Sequence, residues 1–179
     1  MARSARHSHK RSELDARCGK CSINMIWQLF YQLANSLRHI YWFVFHPNTR
    51  GVKVVIEYEG KYLFVRHGYG SRRWTLVGGG INRNETSEAA AKREAWEEVR
   101  LDLNALRPLG IFETNLEYKH DTVHTFLATT LRDKPILRRG EIIAFGWFPK
   151  DDLPHEISIN SQKTLELLQA YSQDRKSVV

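Results

Sequence analysis

The stretch that decides the fold is LVGGGINRNETSEAAAKREAWEEVRLDL, Leu76 to Leu103, in which three glycines precede a segment rich in alanine and glutamate. Thr86 is a residue type that commonly caps the start of a helix. The residues that follow it, Ser87 to Val99, contain neither proline nor glycine. We therefore predict a glycine-rich bend that leads into a helix beginning after Thr86.

Three glutamates of this predicted helix, Glu94, Glu97 and Glu98, fall at positions i, i+3 and i+4. They share an arc of roughly 100° on the helix surface, and like charges at this spacing repel by roughly 0.2–0.5 kcal/mol per pair. A solvated acidic face capped by a glycine turn would explain them if they stood alone. A hard divalent cation, Mg²⁺ or Mn²⁺, explains the cluster better, and the glycines let the backbone approach the same ion or a phosphate.

The spacing of the stretch resembles the Nudix box, GX5EX7REUXEEXGU, in which U is an apolar residue. Six of its seven fixed positions are matched, by Gly79, Glu85, Arg93, Glu94, Glu97 and Glu98, and its apolar positions are matched by Ala95 and Leu101. With each residue type at roughly one in fifteen, six matches in a given frame arise with a probability of about 10⁻⁷. The segments YLFVRHGYGSRRWTLVGGG and EIIAFGWFPKDDLP are similar to a bacterial Nudix branch, and FVFHPNTRGVKVV resembles the way the N-terminal helix of that branch enters the domain. The resemblance thus covers roughly residues 26–170.

The resemblance implies an α+β Nudix fold, a mixed β-sheet sandwiched between α-helices (an α/β/α sandwich). It also implies hydrolysis of a pyrophosphate bond in a nucleoside diphosphate linked to another group, by attack of water on phosphorus. The cofactor would be Mg²⁺ or Mn²⁺, held by Glu94, Glu97 and Glu98 with the Gly79 carbonyl as a further ligand.

Other catalytic roles follow from the same resemblance. Arg93 would pair with a box glutamate and hold it in its rotamer, and Glu85 would anchor the loop to the helix. The general base would be a box glutamate or a glutamate outside the box, for which Glu141 is the candidate. The alternative for Glu141 is an exposed residue at the start of a strand.

The sequence departs from the box pattern at three positions. Arg100 stands where the box has glycine near the helix end, where a left-handed non-glycine residue costs about 1 kcal/mol. Val77 replaces the usual proline before the glycines, and Asn84 replaces a glycine but tolerates the left-handed region. None removes a carboxylate, so they affect loop rigidity and rate more than the reaction class.

The substrate is not specified by the motif. The loop before the glycines contains Arg66, His67, Tyr69, Arg72, Arg73 and Trp74, and arginines can grip phosphates while an aromatic ring stacks on a base. We take the substrate-binding candidates to be Arg66, Tyr69, Arg72, Arg73, Gly78 and Gly80. The alternative is a core Trp74 with solvated arginines. A second function class is a catalytically weak Nudix-fold module that binds a nucleotide or scaffolds a partner.

Strands and one more helix are predicted around this stretch. VKVVIEY and KYLFVRH flank Glu59-Gly60 as a hairpin, WTLV runs into the glycines, and LGIFETN, TVHTFLATTL and EIIAFGWFP are three further strands. SQKTLELLQAYSQ is a closing helix capped by Asn160 or Ser161. The Nudix domain is assigned to residues 47–173 and a C-terminal tail to 174–179.

The N-terminal part carries most of the net charge of +7, because residues 1–50 hold eight Lys and Arg against two acidic residues. The nearly neutral body does not support a nucleic-acid groove or sequence-specific nucleic-acid binding. Residues 1–22 are predicted to be a basic, disordered tail. In this tail Cys18 and Cys21, with His7 and His9, are either idle thiols or a zinc site.

Residues 23–46 are predicted to form an amphipathic helix that ends at Pro47. Gln28, Gln32, Asn35, Arg38 and His39 exclude a membrane span. Two interpretations remain: the helix packs on the domain or on a second copy in a homodimer, or residues 23–45 lie in a membrane interface. The expected location is the cytoplasm, with peripheral attachment to the inner membrane surface in the second case.

Overall fold

The computed structural model describes residues 33–34, 36–37, 48–115 and 120–177. Residues 33, 34, 36 and 37 are helical. The rest of the predicted N-terminal helix, the basic tail and the zinc candidates lie outside the described residues. The domain itself contains strands β1 (Asn48–Tyr58), β2 (Lys61–His67), β3 (Trp74–Thr75), β4 (Asn104–Thr114), β5 (His120–Thr129) and β6 (Ile142–Pro149), with helices α1 (Ser87–Val99) and α2 (Ile159–Ser177).

The six strands form one mixed sheet. Its order is β3-β2-β1-β5-β4, and β6 pairs with β2. The pairing of β1 with β5 is parallel, from Asn48 opposite His120 to Glu57 opposite Thr129, and the other pairings are antiparallel. No helix in the described residues is long and apolar enough to cross a bilayer.

The glycine run is fixed in place by β1. The predicted hairpin turn is present, with φ of 47° at Glu59 and 76° at Gly60, but β1 and β2 pair only next to this turn. Beyond it β1 pairs with the glycine run instead. The amides of Val54 and Val52 donate to the carbonyls of Val77 and Gly79, each at 2.9 Å.

Two hydrophobic cores cover the two faces of the sheet. Residues of β1 contribute alternately to one core and the other, because successive side chains of a strand point to opposite faces of the sheet. Val54 packs with the alanines of α1, whereas Val55 packs with Leu165 and Leu168 of α2. This arrangement confirms the predicted α/β/α sandwich.

Strand β4 begins at Asn104, five residues before the predicted LGIFETN. The added segment contains Pro108, which lacks an amide donor. Proline is tolerated here because β4 is an edge strand that pairs only with β5 and has a register shift between Pro108 and Gly110.

Helix α2 begins at Ile159, so the predicted cap residues Asn160 and Ser161 lie inside its first turn. Ser158 precedes the helix and is held by β3, since its amide donates to the carbonyl of Trp74 at 2.8 Å. The helix runs to Ser177, and the predicted domain boundary at residue 173 therefore falls inside it.

Candidate active site

The ends of helix α1 set the position of its glutamates. The hydroxyl of Thr86 accepts the amide of Ala89 at 3.2 Å, as expected of an N-cap. At the other end Arg100 takes the left-handed conformation, with φ of 55°, and its amide donates to the Trp96 carbonyl at 3.1 Å. The arginine thus fills the backbone role of the expected glycine. Asn84 is also left-handed, with φ of 63°.

Glu85 joins the loop to the helix. Its carboxylate accepts Nε and Nη2 of Arg93 at 2.7 and 2.9 Å and the amide of Asn82 at 2.8 Å. These bonds, first those from Arg93 and then that from Asn82, lower the pKa of Glu85 to about 2. Arg93 also donates to the carbonyl of Gly80 at 2.8 Å, which ties the glycine run to α1.

Glu94, Glu97 and Glu98 form an acidic ridge along α1. Arg93 Nη1 lies 2.7 Å from Glu94 Oε1, so the predicted contact between Arg93 and a box glutamate is present. Burial raises the pKa of Glu94, and Arg93 opposes this rise. The Glu94 carboxylate lies close to Gly79, and a Cβ atom on residue 79 would lie 2.5 Å from Glu94 Oε1. Only glycine allows this approach of backbone and carboxylate.

Glu98 is the most buried member of the ridge, at 3% exposed. Its Oε2 atom has no hydrogen-bond partner among the described residues. Burial raises the pKa of Glu98 to about 8; Glu94 and Glu141 add to the rise, while Lys53 and the Gly78 amide oppose it. A buried carboxylate in an acidic group is unfavourable unless a cation neutralises it. The set of carboxylates beside the glycine backbone suits Mg²⁺ or Mn²⁺.

Glu141 faces the ridge from the start of β6. One oxygen atom from each of Glu98 and Glu141 and one ring nitrogen of His67 lie within 4.8 Å of one another. Tyr69 donates its hydroxyl to Glu141 Oε1 at 3.0 Å, and Arg138 Nε lies 3.1 Å from Oε2. The side chain of Glu141 is 14% exposed, so it is not the exposed strand-start residue of the alternative interpretation.

A cavity of 720 Å³ opens over the ridge. The predicted binding residues that line it are Tyr69, Arg72, Arg73, Gly78 and Gly80.

Arg66 does not line this cavity. It is paired in register with Trp74 across β2 and β3, and its guanidinium lies 4.5 Å from the centre of the Trp74 ring. Trp74 itself is partly buried and packs edge-on against Phe148 at 5.2 Å, beside the core below α2. The alternative interpretation of Trp74 as a core residue therefore describes its position.

Several cavity residues were not singled out from the sequence. Asp121 accepts the hydroxyl of Thr49 at 2.9 Å, and Arg138 bridges Glu97 and Glu141. Lys53 rises from β1 into the cavity floor. The one available signal was for Lys53, a charged residue inside the apolar run VKVVI.

Comparisons with known proteins agree with this architecture. The family model of the NUDIX domain matches residues 47–168. The RNA pyrophosphohydrolase of Sodalis glossinidius (strain morsitans) is 39% identical over 75 residues, which are 42% of this chain and 41% of that protein. Diphosphoinositol polyphosphate phosphohydrolase 3-alpha of Mus musculus is 36% identical over 74 residues, which are 41% and 45% of the two chains. The matched region thus spans less than half the length of these curated relatives.

A solved structure is similar over a larger share of the chain. The MutT NUDIX hydrolase from Burkholderia pseudomallei superposes with a TM-score of 0.62 and 25% identity, over 67% of this chain and 97% of that one. The family match covers more than half of the 179 residues. The chain belongs to the NUDIX domain family.

Proposed function

We propose that this protein is a Mg²⁺- or Mn²⁺-dependent pyrophosphohydrolase that cleaves the pyrophosphate bond of a nucleoside diphosphate linked to another group. The observation that carries the proposal is the buried Glu98 carboxylate, which has an unpartnered oxygen on a ridge beside Glu94 and the Gly79 backbone. Two similar proteins are named an RNA pyrophosphohydrolase and a diphosphoinositol polyphosphate phosphohydrolase, and both names denote phosphohydrolases.

The acidic ridge would hold the ion, with the Gly79 carbonyl as a further ligand. This carbonyl accepts the Val52 amide at 2.9 Å, and a carbonyl oxygen has a second lone pair for a cation. When bound, the ion neutralises phosphate charge and lowers the pKa of water in its coordination shell. Arg93 keeps Glu94 oriented through the 2.7 Å contact, and Glu85 keeps Arg93 in place.

Glu141 is our candidate for the general base. It would accept a proton from the attacking water at a carboxylate oxygen, because it faces Glu98 across the cavity and is oriented by Tyr69. The box glutamates are the alternative candidates for this role. Arg72 and Arg73 are exposed at the cavity rim, where they would bind the phosphates of the entering substrate.

The test is a panel of diphosphate compounds incubated with the full chain and Mg²⁺. The panel contains nucleoside triphosphates, nucleotide sugars, ADP-ribose, capped RNA and a diphosphoinositol polyphosphate, with products separated by ion-exchange chromatography. We expect Mg²⁺-dependent turnover of at least one member. Glu98→Gln should lower the turnover by roughly two orders of magnitude or more, because a charged metal ligand is lost. The control, Glu88→Gln on the exposed face of the same helix, should retain it.

The alternative is a catalytically weak module that binds a nucleotide without turning it over. Val77 in place of the usual proline favours it, whereas Arg100 does not, because its backbone takes the expected left-handed conformation. Measurable nucleotide binding without turnover of any panel member would establish this alternative and exclude the proposed enzyme.

We further propose that residues 23–45 attach a cytoplasmic protein to the inner membrane surface, or mediate homodimer formation. Within this segment the side chains of Leu33 and Leu37 are 63% and 60% exposed on a helical backbone. Co-sedimentation with anionic liposomes should be lost when residues 1–45 are deleted. Equal sedimentation of the truncated and full chains would exclude membrane attachment through this segment, and sizing by light scattering tests the dimer.

A further inference from the structure

Lys53 occupies an unusual place for a charged residue. It lies in β1 between Val52 and Val54, which are 1% and 0% exposed. Strand alternation puts its side chain on the face toward α2, the face on which Val55 packs into the core. Lysine is rarely kept in such surroundings unless its charge has a partner or a use.

The ammonium of Lys53 is held at a fixed point of the cavity floor. Nζ donates to the carbonyl of Leu76 at 2.8 Å and to the hydroxyl of Thr75 at 3.1 Å. The Thr75 hydroxyl in turn lies 3.1 Å from the hydroxyls of both Ser158 and Ser161. The nitrogen is therefore positioned where β1, β3 and the start of α2 meet.

The charge of Lys53 also lies near the acidic ridge. Lys53 and the ridge residues Glu94 and Glu98 line the same cavity. The floor of the cavity thus combines the ridge with a cation whose position is fixed by neutral oxygen atoms. This is the arrangement needed to receive a phosphate group, which would contact an ion on one side and an ammonium on the other.

A purely structural link between β1 and the glycine run does not require this charge. The backbone bonds from Val52 and Val54 already connect the two segments, and a neutral donor would satisfy the Leu76 carbonyl equally well. The charge of Lys53 is also available to a group that enters the cavity, because this residue lines it.

We propose that Lys53 is a substrate-binding residue whose ammonium contacts a non-bridging oxygen of the diphosphate bound over the acidic ridge. This inference rests on the proposed function and assigns the role to a strand residue outside the box. Arg72 and Arg73 bind phosphate at the rim, whereas Lys53 binds it at the floor, beside the bond that is cleaved.

The test compares Lys53→Gln with Lys53→Arg in the full chain. Glutamine keeps an N–H donor for the Leu76 carbonyl but removes the charge, and arginine keeps the charge. The matched control is Lys150→Gln, since Lys150 lies outside the cavity and pairs with Glu57 at 3.2 Å. Steady-state kinetics are measured on the best substrate of the panel, first at a Mg²⁺ concentration that saturates the wild type and then at higher concentrations. Folding is checked by thermal unfolding.

Lys53→Gln should raise KM about tenfold or more, the loss expected for one charged hydrogen bond, with a smaller change in kcat. Lys53→Arg should recover most of this loss, and Lys150→Gln should behave as wild type. A KM for Lys53→Gln within about twofold of wild type would overturn the inference while leaving the proposed function intact. Complete restoration of the activity of Lys53→Gln by additional Mg²⁺ would also overturn the inference, because the role of Lys53 would then be to support metal binding by the ridge.

If no panel member is turned over, the proposed function fails, and Lys53 is tested separately by calorimetric titration of inorganic pyrophosphate in the presence of Mg²⁺. Binding by wild type that is weakened about tenfold in Lys53→Gln and restored in Lys53→Arg supports the anion site. Equal binding by all three proteins, or no binding by any of them, overturns it.

Discussion

Replacing Glu98 with glutamine is predicted to stabilise the metal-free protein, and the gain should increase with pH. Burial raises the pKa of the Glu98 carboxyl from 4.5 to about 8. A group with a raised pKa in the folded state contributes stability while it is protonated, and this contribution is lost as the pH rises through the folded-state pKa. Glutamine resembles the protonated carboxyl at every pH, so the stability of the variant does not fall in this way as the pH rises.

The size of the effect follows from the displacement of the pKa. At about 1.4 kcal/mol per pH unit, the rise from 4.5 to about 8 destabilises the wild type by several kcal/mol once the carboxyl is fully ionised. For a domain of this size that loss corresponds to a difference in Tm on the order of 10 °C. Near pH 5 the two proteins should differ by only about 1 kcal/mol.

The assay is urea unfolding in the presence of EDTA at about pH 5, 7 and 9, the window in which the carboxyl titrates. Glu88→Gln is the control, because Glu88 is exposed in the first turn of the same helix, and its effect should stay within about 0.5 kcal/mol across this window. Adding Mg²⁺ should then favour the wild type, since an ion stabilises the chain that binds it. A gain for Glu98→Gln that is independent of pH would refute the reasoning.

Three further substitutions test other parts of the site. Gly79→Ala places a Cβ 2.5 Å from Glu94 Oε1, and the Mg²⁺ concentration for half-maximal turnover should rise about tenfold as the carboxylate is displaced; an unchanged value would contradict the shared site. Tyr69→Phe removes the 3.0 Å hydrogen bond to Glu141 and should lower kcat about threefold to tenfold, whereas a change confined to KM would exclude orientation of the base. Arg100→Gly removes the strain of a non-glycine residue at a φ of 55° and should raise the free energy of unfolding in urea by about 1 kcal/mol. A lower free energy of unfolding would show that contacts of the arginine side chain stabilise the fold by more than the backbone strain destabilises it.

Helix α1 could be predicted residue by residue because its signals are local. The cap at Thr86, the absence of proline and glycine, and the change at Arg100 all lie in or beside the helix, and Ser87–Val99 is the span observed. The start of β4 was missed because Pro108 argues against a strand, and only the edge position of β4 in the sheet makes it acceptable.

The part of the site that lies on a single helix could be predicted from the sequence. The acidic ridge follows from helical spacing alone, whereas Lys53 and Asp121 reach the cavity through pairings between distant segments. The parallel pairing of β1 with β5 joins residues more than 70 positions apart, and periodicity does not encode such a register. Arg66 was predicted to bind substrate because it lies close to the glycines in sequence, but its pairing with Trp74 places it outside the cavity lining.

The central claim is that the acidic ridge holds a divalent ion. It is tested most directly by Mn²⁺ titration of the full chain, followed by electron paramagnetic resonance at about pH 9, where the Glu98 carboxyl is ionised. Wild type and Glu88→Gln should bind Mn²⁺ equally, and Glu98→Gln should bind it at least about tenfold more weakly. Equal binding by all three proteins would contradict the account.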